Sequence, residues 1–280
     1  RKVANKNNLK IDFNKVFSLI KKNHLIKKSI GGYFPVNYEV DDLEILKEFA
    51  KKNYQISLPV IKKNFENVII KNMWSLIEEF NIPLKVVQDL LIGIKSDIKD
   101  KVKLNSKKDL LIYSYRVAGT VGLMMAKILN VNKKSSLKSA IDLGIAMQLT
   151  NISRDVIEDS KNNRFYINEN FEEISSTLNL ANTFYENSFY SIKDIPISFR
   201  FSILVARRVY KKIGHKILSK KNLENYQNSG KIYVSNTEKI LETFLSIFDL
   251  IKLSFSYKKD DQIRHDHDLI NEEINLDERI

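Results

Sequence analysis

The 280-residue chain contains no cysteine, only 8 glycines and 4 prolines, and a single tryptophan. Without cysteine there is no disulfide framework, no thiolate metal site and no cysteine nucleophile. Scarce glycine and proline argue against a turn-rich sandwich or barrel and favour long helices. Long apolar runs are also missing. The longest, Val117 to Val131, is interrupted by Lys127 and is too short to span a bilayer. No signal peptide is visible. With 43% hydrophobic residues the composition is that of a globular chain, not a disordered one.

The charge is one-sided: 46 Lys+Arg against 34 Asp+Glu give a formal net charge of +12. The lysines are scattered along the whole length, whereas a nucleic-acid footprint concentrates Arg and Lys on one element. The excess therefore reads as a solvated surface with no nucleic-acid partner, compatible with anionic small substrates and with lipid head groups. These features predict a cytoplasmic protein with possible peripheral membrane contact.

Apolar residues recur with the helical period. Phe13, Val16, Phe17 and Ile20 share one face, and further helices are predicted near 41–53, 57–80, 84–99, 106–130, 134–158, 177–193, 198–219 and 236–256. Pro83 fits a helix start, Ser106 and Ser136 are candidate N-caps, and Gly31-Gly32 with Pro35 reads as a loop. One helical domain is expected over residues 1–257. Residues 258–280 carry four Lys/Arg against eight Asp/Glu, a net −4, and read as a polar, acidic tail that frays away from the core. Within it, His265-Asp266-His267 reads as solvated rather than metal-binding.

Two segments carry chemistry. In the stretch from Gln148 to Asp159, Gln148, Asn151, Asp155 and Asp159 step by three, four and four, which places them on one helix face. Ile145, Leu149, Ile152 and Val156 fall on the adjacent face. Two carboxylates one turn apart with an amide a turn earlier suit Mg²⁺, which takes one or two carboxylates and completes its shell with water and substrate phosphate. Arg154 could meet a phosphate oxygen. The second segment, Tyr113 to Met125, contains Gly119 and Gly122 within a helical pattern. Each costs about 1 kcal/mol relative to alanine there, so close helix packing and room for a long apolar ligand are both open readings.

The strings YSYRVAGTVGLMM (113–125) and LGIAMQLTNISRDVIEDSKNNRFYI (143–167) resemble the two most recognisable blocks of the squalene/phytoene synthase family, nearest its bacterial phytoene-forming branch. Residues 79–98 and 198–217 resemble neighbouring family segments in the same order, so the likeness covers most of 65–220. It implies an all-α, isoprenoid synthase-type helical bundle around an apolar cavity. The implied reaction is Mg²⁺-dependent head-to-head condensation of two prenyl diphosphates, geranylgeranyl diphosphate foremost, to phytoene through a cyclopropyl diphosphate. Asp155, Asp159 and Asn151 match metal ligands, and Gln148 and Arg154 match diphosphate contacts. Tyr113 and Tyr210 match tyrosines near the reacting centre, Arg164 and Tyr166 a closing segment, and Gly119 and Gly122 a place beside the prenyl chain. Alternatives are a squalene or dehydrosqualene synthase using farnesyl diphosphate and a non-catalytic assembly factor. The family's first aspartate-rich motif does not occur in Arg1 to Asn8, and Asp41-Asp42 lies too late for it. Either the motif lies just upstream and has been cut off, which the Arg start favours, or it has degenerated around Ala4–Asn8. Ile92 stands where relatives carry an acid, while Asp97 is retained.

Overall fold

The structure is a computed structural model that describes residues 30–31, 56–57, 63–255 and 265–280. The helices expected around Phe13–Ile20 and over 41–53, the segment Ala4–Asn8 and Asp41-Asp42 lie outside the described residues. The chain forms two compact units, Arg1–Trp74 and Ser75–Ile280, where the sequence reading had one domain to residue 257. In the first unit, β1 (Ile30–Gly31) pairs in parallel with β2 (Ile56–Ser57), so Gly31 belongs to a short strand, not the expected loop.

Helices dominate the described residues. α1 (Lys63–Glu79) is followed by α2 (Leu84–Asp97), α3 (Lys107–Ser114) and α4 (Thr120–Ile128). Then come α5 (Lys134–Lys161), α6 (Phe171–Phe189), α7 (Ile197–Leu218), α8 (Leu223–Asn228), α9 (Asn236–Phe255) and α10 (His265–Asn271). β3 (Val102–Lys103) and β4 (Arg164–Phe165) form a two-residue parallel ladder that ties the end of α5 to the segment before α3. None of the described helices is long and apolar enough to cross a membrane.

α5 is the axis of the second unit. At 1.5 Å per residue its 28 residues run about 42 Å. Leu137, Ile141, Ile145, Leu149, Ile152 and Val156 form its fully packed stripe, each at most 5% exposed. Ser106 caps α3 by accepting the Asp109 N–H at 3.1 Å. Ser136 is not a cap: α5 begins two residues earlier, and the Ser136 hydroxyl instead donates to Asp194. α6 begins at Phe171, not near 177, because Asn170 Oδ1 accepts the Glu173 N–H at 2.7 Å.

The expected helix over 106–130 is divided. Residues Tyr115–Gly119 form a π-helical turn between α3 and α4, a device that re-aims the following side chains. Beyond it the glycines act in pairs. A Cβ on Gly122 would lie 2.2 Å from the Ala140 carbonyl oxygen, and one on Gly144 would lie 2.3 Å from that of Ala118. Both would strike backbone, which cannot swing aside. Gly144→Ala is therefore expected to cost about 2–3 kcal/mol of stability. Gly214→Ala should be near neutral, since its Cβ would meet only the Leu178 side-chain tip at 3.3 Å. Thermal unfolding of the two variants checks the contrast.

Residues 265–280 correct the expectation of a fraying tail. Ile270, Ile274 and Leu276 are at most 2% exposed and belong to the main core. His267 Nε2 lies 2.5 Å from Asp142 Oδ1 inside that core, and Arg279 donates to the buried Asp89 carboxylate at 3.0 Å. The acids of the segment meet cations of the body: Lys107–Asp266, Lys108–Glu272, Arg116–Glu273, Lys138–Asp277 and Lys85–Glu278. Acidity here reflects docking onto a basic surface, not solvation.

Candidate functional site

A cavity of about 390 Å³ opens between α4, α5 and α7, a size ordinary for a small-molecule site. Ala118, Gly122 and Met125 supply one wall, Leu143, Gly144 and Met147 a second, and Ile203 and Ala206 a third. The glycine crossing described above keeps side chains out of this space. Polar groups converge at one end, where Gln148, Asn151 and Tyr210 line the cavity. The next turns of α5 carry Arg154, Asp155, Glu158 and Asp159.

Arg154 grips its neighbour: Nε donates to Asp155 Oδ1 at 2.9 Å and Nη2 to Oδ2 at 2.5 Å. Lys231, on the loop after α8, stands 3.1 Å from Asp155 and 2.6 Å from Glu158. Tyr226 fixes this turn of α5 by donating to the carbonyls of Ser153 and Arg154 at 3.0 and 2.8 Å. Asp159 differs from Asp155. Burial, followed by the charges of Asp155 and Glu158, pushes its carboxyl up to about 6. Three acids against two cations leave a local excess of negative charge.

The resemblance implies a divalent metal, and the donor set can be tested for fit. Asn151 Oδ1 is buried with no hydrogen-bond partner among the described residues. Such an orphan acceptor costs about 1–3 kcal/mol, and it lies on the same α5 face as two carboxylates. Among the described residues no three His, Cys, Asp or Glu side chains form a closed cage. Two carboxylates and one amide oxygen are the ligands expected for an ion that brings water and phosphate oxygens with it. The residues therefore fit Mg²⁺. Replacing Asn151 with the isosteric Leu is expected to leave stability unchanged or raise it by about 1 kcal/mol, while any metal-dependent activity falls. Loss of stability in a melting curve would show that the amide serves the fold.

The residues singled out in the sequence separate into two groups. Gln148, Asn151, Tyr210 and Gly122 line the cavity, with Arg154, Asp155 and Asp159 on the following turns of α5. Tyr113 and Tyr166 stack at 4.7 Å between ring centres. Burial holds the Tyr113 phenol well above its usual range, and both hydroxyls donate to Asp97, each at 3.0 Å. Arg164 donates to backbone carbonyls, that of Asp97 at 2.7 Å and that of Asp100 at 3.3 Å, and so pins β4. Gly119 packs against Tyr115 and Ile141, away from the cavity lining. Ile92 is exposed, while Asp89 one turn earlier is buried, accepting from Tyr115 and Arg279. Lys231 was not legible as a site residue, being one of many scattered lysines.

Comparison with known proteins shows what the chain resembles. The sequence pattern of the squalene/phytoene synthase family matches residues 43–171. The chain is 33% identical to a 15-cis-phytoene synthase of Enterobacter agglomerans, the match covering 46% of this chain and 51% of that protein. It is 35% identical to a 15-cis-phytoene synthase of Paracoccus sp., covering 46% and 48%. The chain thus spans about half the length of the curated relatives it matches. A crystal structure of a dehydrosqualene synthase superposes with a TM-score of 0.51 and 26% identity, over 61% of this chain and 67% of that one. Its helical fold agrees with the all-α architecture. Over the stretch that carries the cavity's first wall and the acidic face of α5, the chain is similar to the squalene/phytoene synthase family.

Proposed function

We propose that this protein is a Mg²⁺-dependent prenyltransferase that joins two molecules of geranylgeranyl diphosphate head to head to form phytoene. The observation that carries the reading is the juxtaposition on α5 of an apolar cavity wall with an orphaned amide and two carboxylates. Asn151, Asp155 and Asp159 would hold the metal, which supplies the charge that makes a diphosphate a competent leaving group.

The chain's own residues account for the rest. Gln148 and Tyr210 place polar atoms at the cavity end nearest the acids, where a diphosphate would join its prenyl tail. Arg154 orients the Asp155 carboxylate through two parallel hydrogen bonds. Lys231 offsets part of the acidic charge. Met125, Leu143, Met147 and Ile203 give the tail an apolar wall and keep water from a reacting allylic centre.

Farnesyl diphosphate is the second candidate substrate, favoured by the likeness to a dehydrosqualene synthase. The test supplies the purified full-length gene product with geranylgeranyl or farnesyl diphosphate and Mg²⁺ and identifies the hydrocarbon formed. Phytoene from the longer substrate supports the proposal, and a C30 product from the shorter one selects the second reading. No hydrocarbon from either, by a folded protein, overturns both.

A further inference from the structure

Ile203, Ala206 and Tyr210 line the cavity from one arc of α7. The adjoining arc carries Arg207, Arg208, Lys211 and Lys212, two cationic pairs at i, i+4, a spacing at which like charges repel along a helix. With Lys252 of α9 they line a separate groove of about 240 Å³, bounded on its third side by Glu186 and Phe189 at the end of α6. In a chain whose lysines are otherwise scattered, five cations meet at one place.

The three acids of the groove do not balance them. Glu186 takes Arg207 at 3.1 Å and Lys211 at 2.5 Å. Glu242 and Asp249 both accept from Arg208, each at 2.9 Å. Lys212 reaches Glu242 only at 3.9 Å, and Lys252 meets no carboxylate among the described residues. Its ammonium rests instead 5.2 Å from the centre of the Phe189 ring, and the Arg207 guanidinium lies 4.8 Å from the same centre. A ring face holds a cation in place without neutralising it. Arg207 is only 5% exposed. Its Nε and Nη2 are taken by the Tyr185 carbonyl and Glu186, while Nη1 has no hydrogen-bond partner among the described residues. A guanidinium withdrawn from water with a donor to spare, beside two ammonium groups, is ready to receive an anion.

We propose that this groove binds a small phosphate anion, inorganic phosphate or diphosphate, with Arg207, Lys212 and Lys252 donating to its oxygens. Five cations against three acids leave two positive charges, which one doubly charged phosphate balances. The groove is smaller than the roughly 300–1,000 Å³ of sites for drug-sized ligands, and its size suits the free anion. The site is separate from the acidic face of α5, and the proposal does not depend on the reaction proposed above.

His215 supplies a local reporter. It stands at the rim of the groove, where desolvation, followed by the charges of Lys211 and Lys212, lowers its imidazole below the usual range. The test follows the His215 ring by proton NMR in the purified 280-residue chain as inorganic phosphate or diphosphate is added, with His215→Asn identifying the resonance. Ionic strength is held constant, and divalent metal is chelated so that the acidic face of α5 repels the anion. Occupancy of the groove should raise the midpoint of the His215 titration by at least about half a pH unit. Calorimetric affinity for diphosphate should fall at least about tenfold in the double variant Lys212→Gln, Lys252→Gln while the melting temperature holds. Lys252→Gln alone supplies the same reading if the double variant does not fold. A His215 ring that neither anion moves, or that chloride at equal ionic strength moves as far, overturns the proposal. So does unchanged affinity in the lysine variants.

Discussion

Asp155→Asn and Asp159→Asn are each expected to lower hydrocarbon formation by at least about a hundredfold while leaving the fold intact. The two carboxylates lie one turn apart on α5, on the turns beyond Asn151 at the polar end of the cavity, and neither belongs to the packed stripe of that helix. Asparagine keeps the volume and one oxygen but removes the charge that a divalent ion needs. The stability side of the forecast differs between the two. Asp155 is held by Arg154 and Lys231, so its replacement releases two cations and costs about 1 kcal/mol at this position, where the side chain is 16% exposed. Asp159 is raised to about 6 by burial and by its acidic neighbours, so neutralising it removes repulsion and should raise the melting temperature slightly. Steady-state assay beside a thermal melt checks both. Equal loss of activity and stability would show that these acids serve the fold.

Removal of residues 265–280 is expected to unfold the second unit. Ile270, Ile274 and Leu276 are essentially fully buried, and burial of such side chains contributes about 1.5–3 kcal/mol each. Their loss alone approaches the roughly 5–15 kcal/mol by which a domain is stable. The deletion also strips Asp142 of His267 and Asp89 of Arg279, leaving two acids at most 4% exposed without those partners. A milder variant isolates one term. His267→Ala, which takes one hydrogen-bond partner from the buried Asp142 carboxylate, should cost about 1–3 kcal/mol by chemical denaturation. A truncated chain with an unchanged unfolding midpoint would restore the reading of this segment as a peripheral tail.

That segment shows where sequence reasoning failed. Eight acids in 23 residues read as a solvated end, yet five of them pair with Lys or Arg of the body. The counter-charge is spread over α2 to α5, which no local window displays. The apolar residues that anchor it, Ile270, Ile274 and Leu276, were too few to register as a period. The π-helical turn at Tyr115–Gly119 was equally hidden, because one extra residue in a helix leaves the apolar pattern nearly intact. The start of α6 was in view, since Asn170 with Glu173 three residues on is a capping pattern.

Where the sequence was legible, physical constraint is the reason. Gln148, Asn151, Asp155 and Asp159 break the apolar character of a helix buried on most sides, and burial makes such exceptions costly unless they have a use. Gly122 was visible as an expense within a helix. The structure gives it a steric cause, the Ala140 carbonyl, as well as a place on the cavity wall. Tyr113, Arg164 and Tyr166 were read as site residues, and here their polar atoms are directed to Asp97 and to backbone carbonyls around the β3–β4 ladder. Lys231 reaches the acids from a loop more than 70 residues away in sequence, a contact that only tertiary structure displays.

The central claim is that α5 presents a metal-dependent diphosphate site at the end of the apolar cavity. Calorimetric titration of geranylgeranyl diphosphate into the protein, with Mg²⁺ and again with the metal chelated, tests it most directly. The account predicts binding that requires Mg²⁺ and weakens at least about tenfold in Asp159→Asn. Equal affinity with and without the metal, unchanged by that substitution, would contradict it.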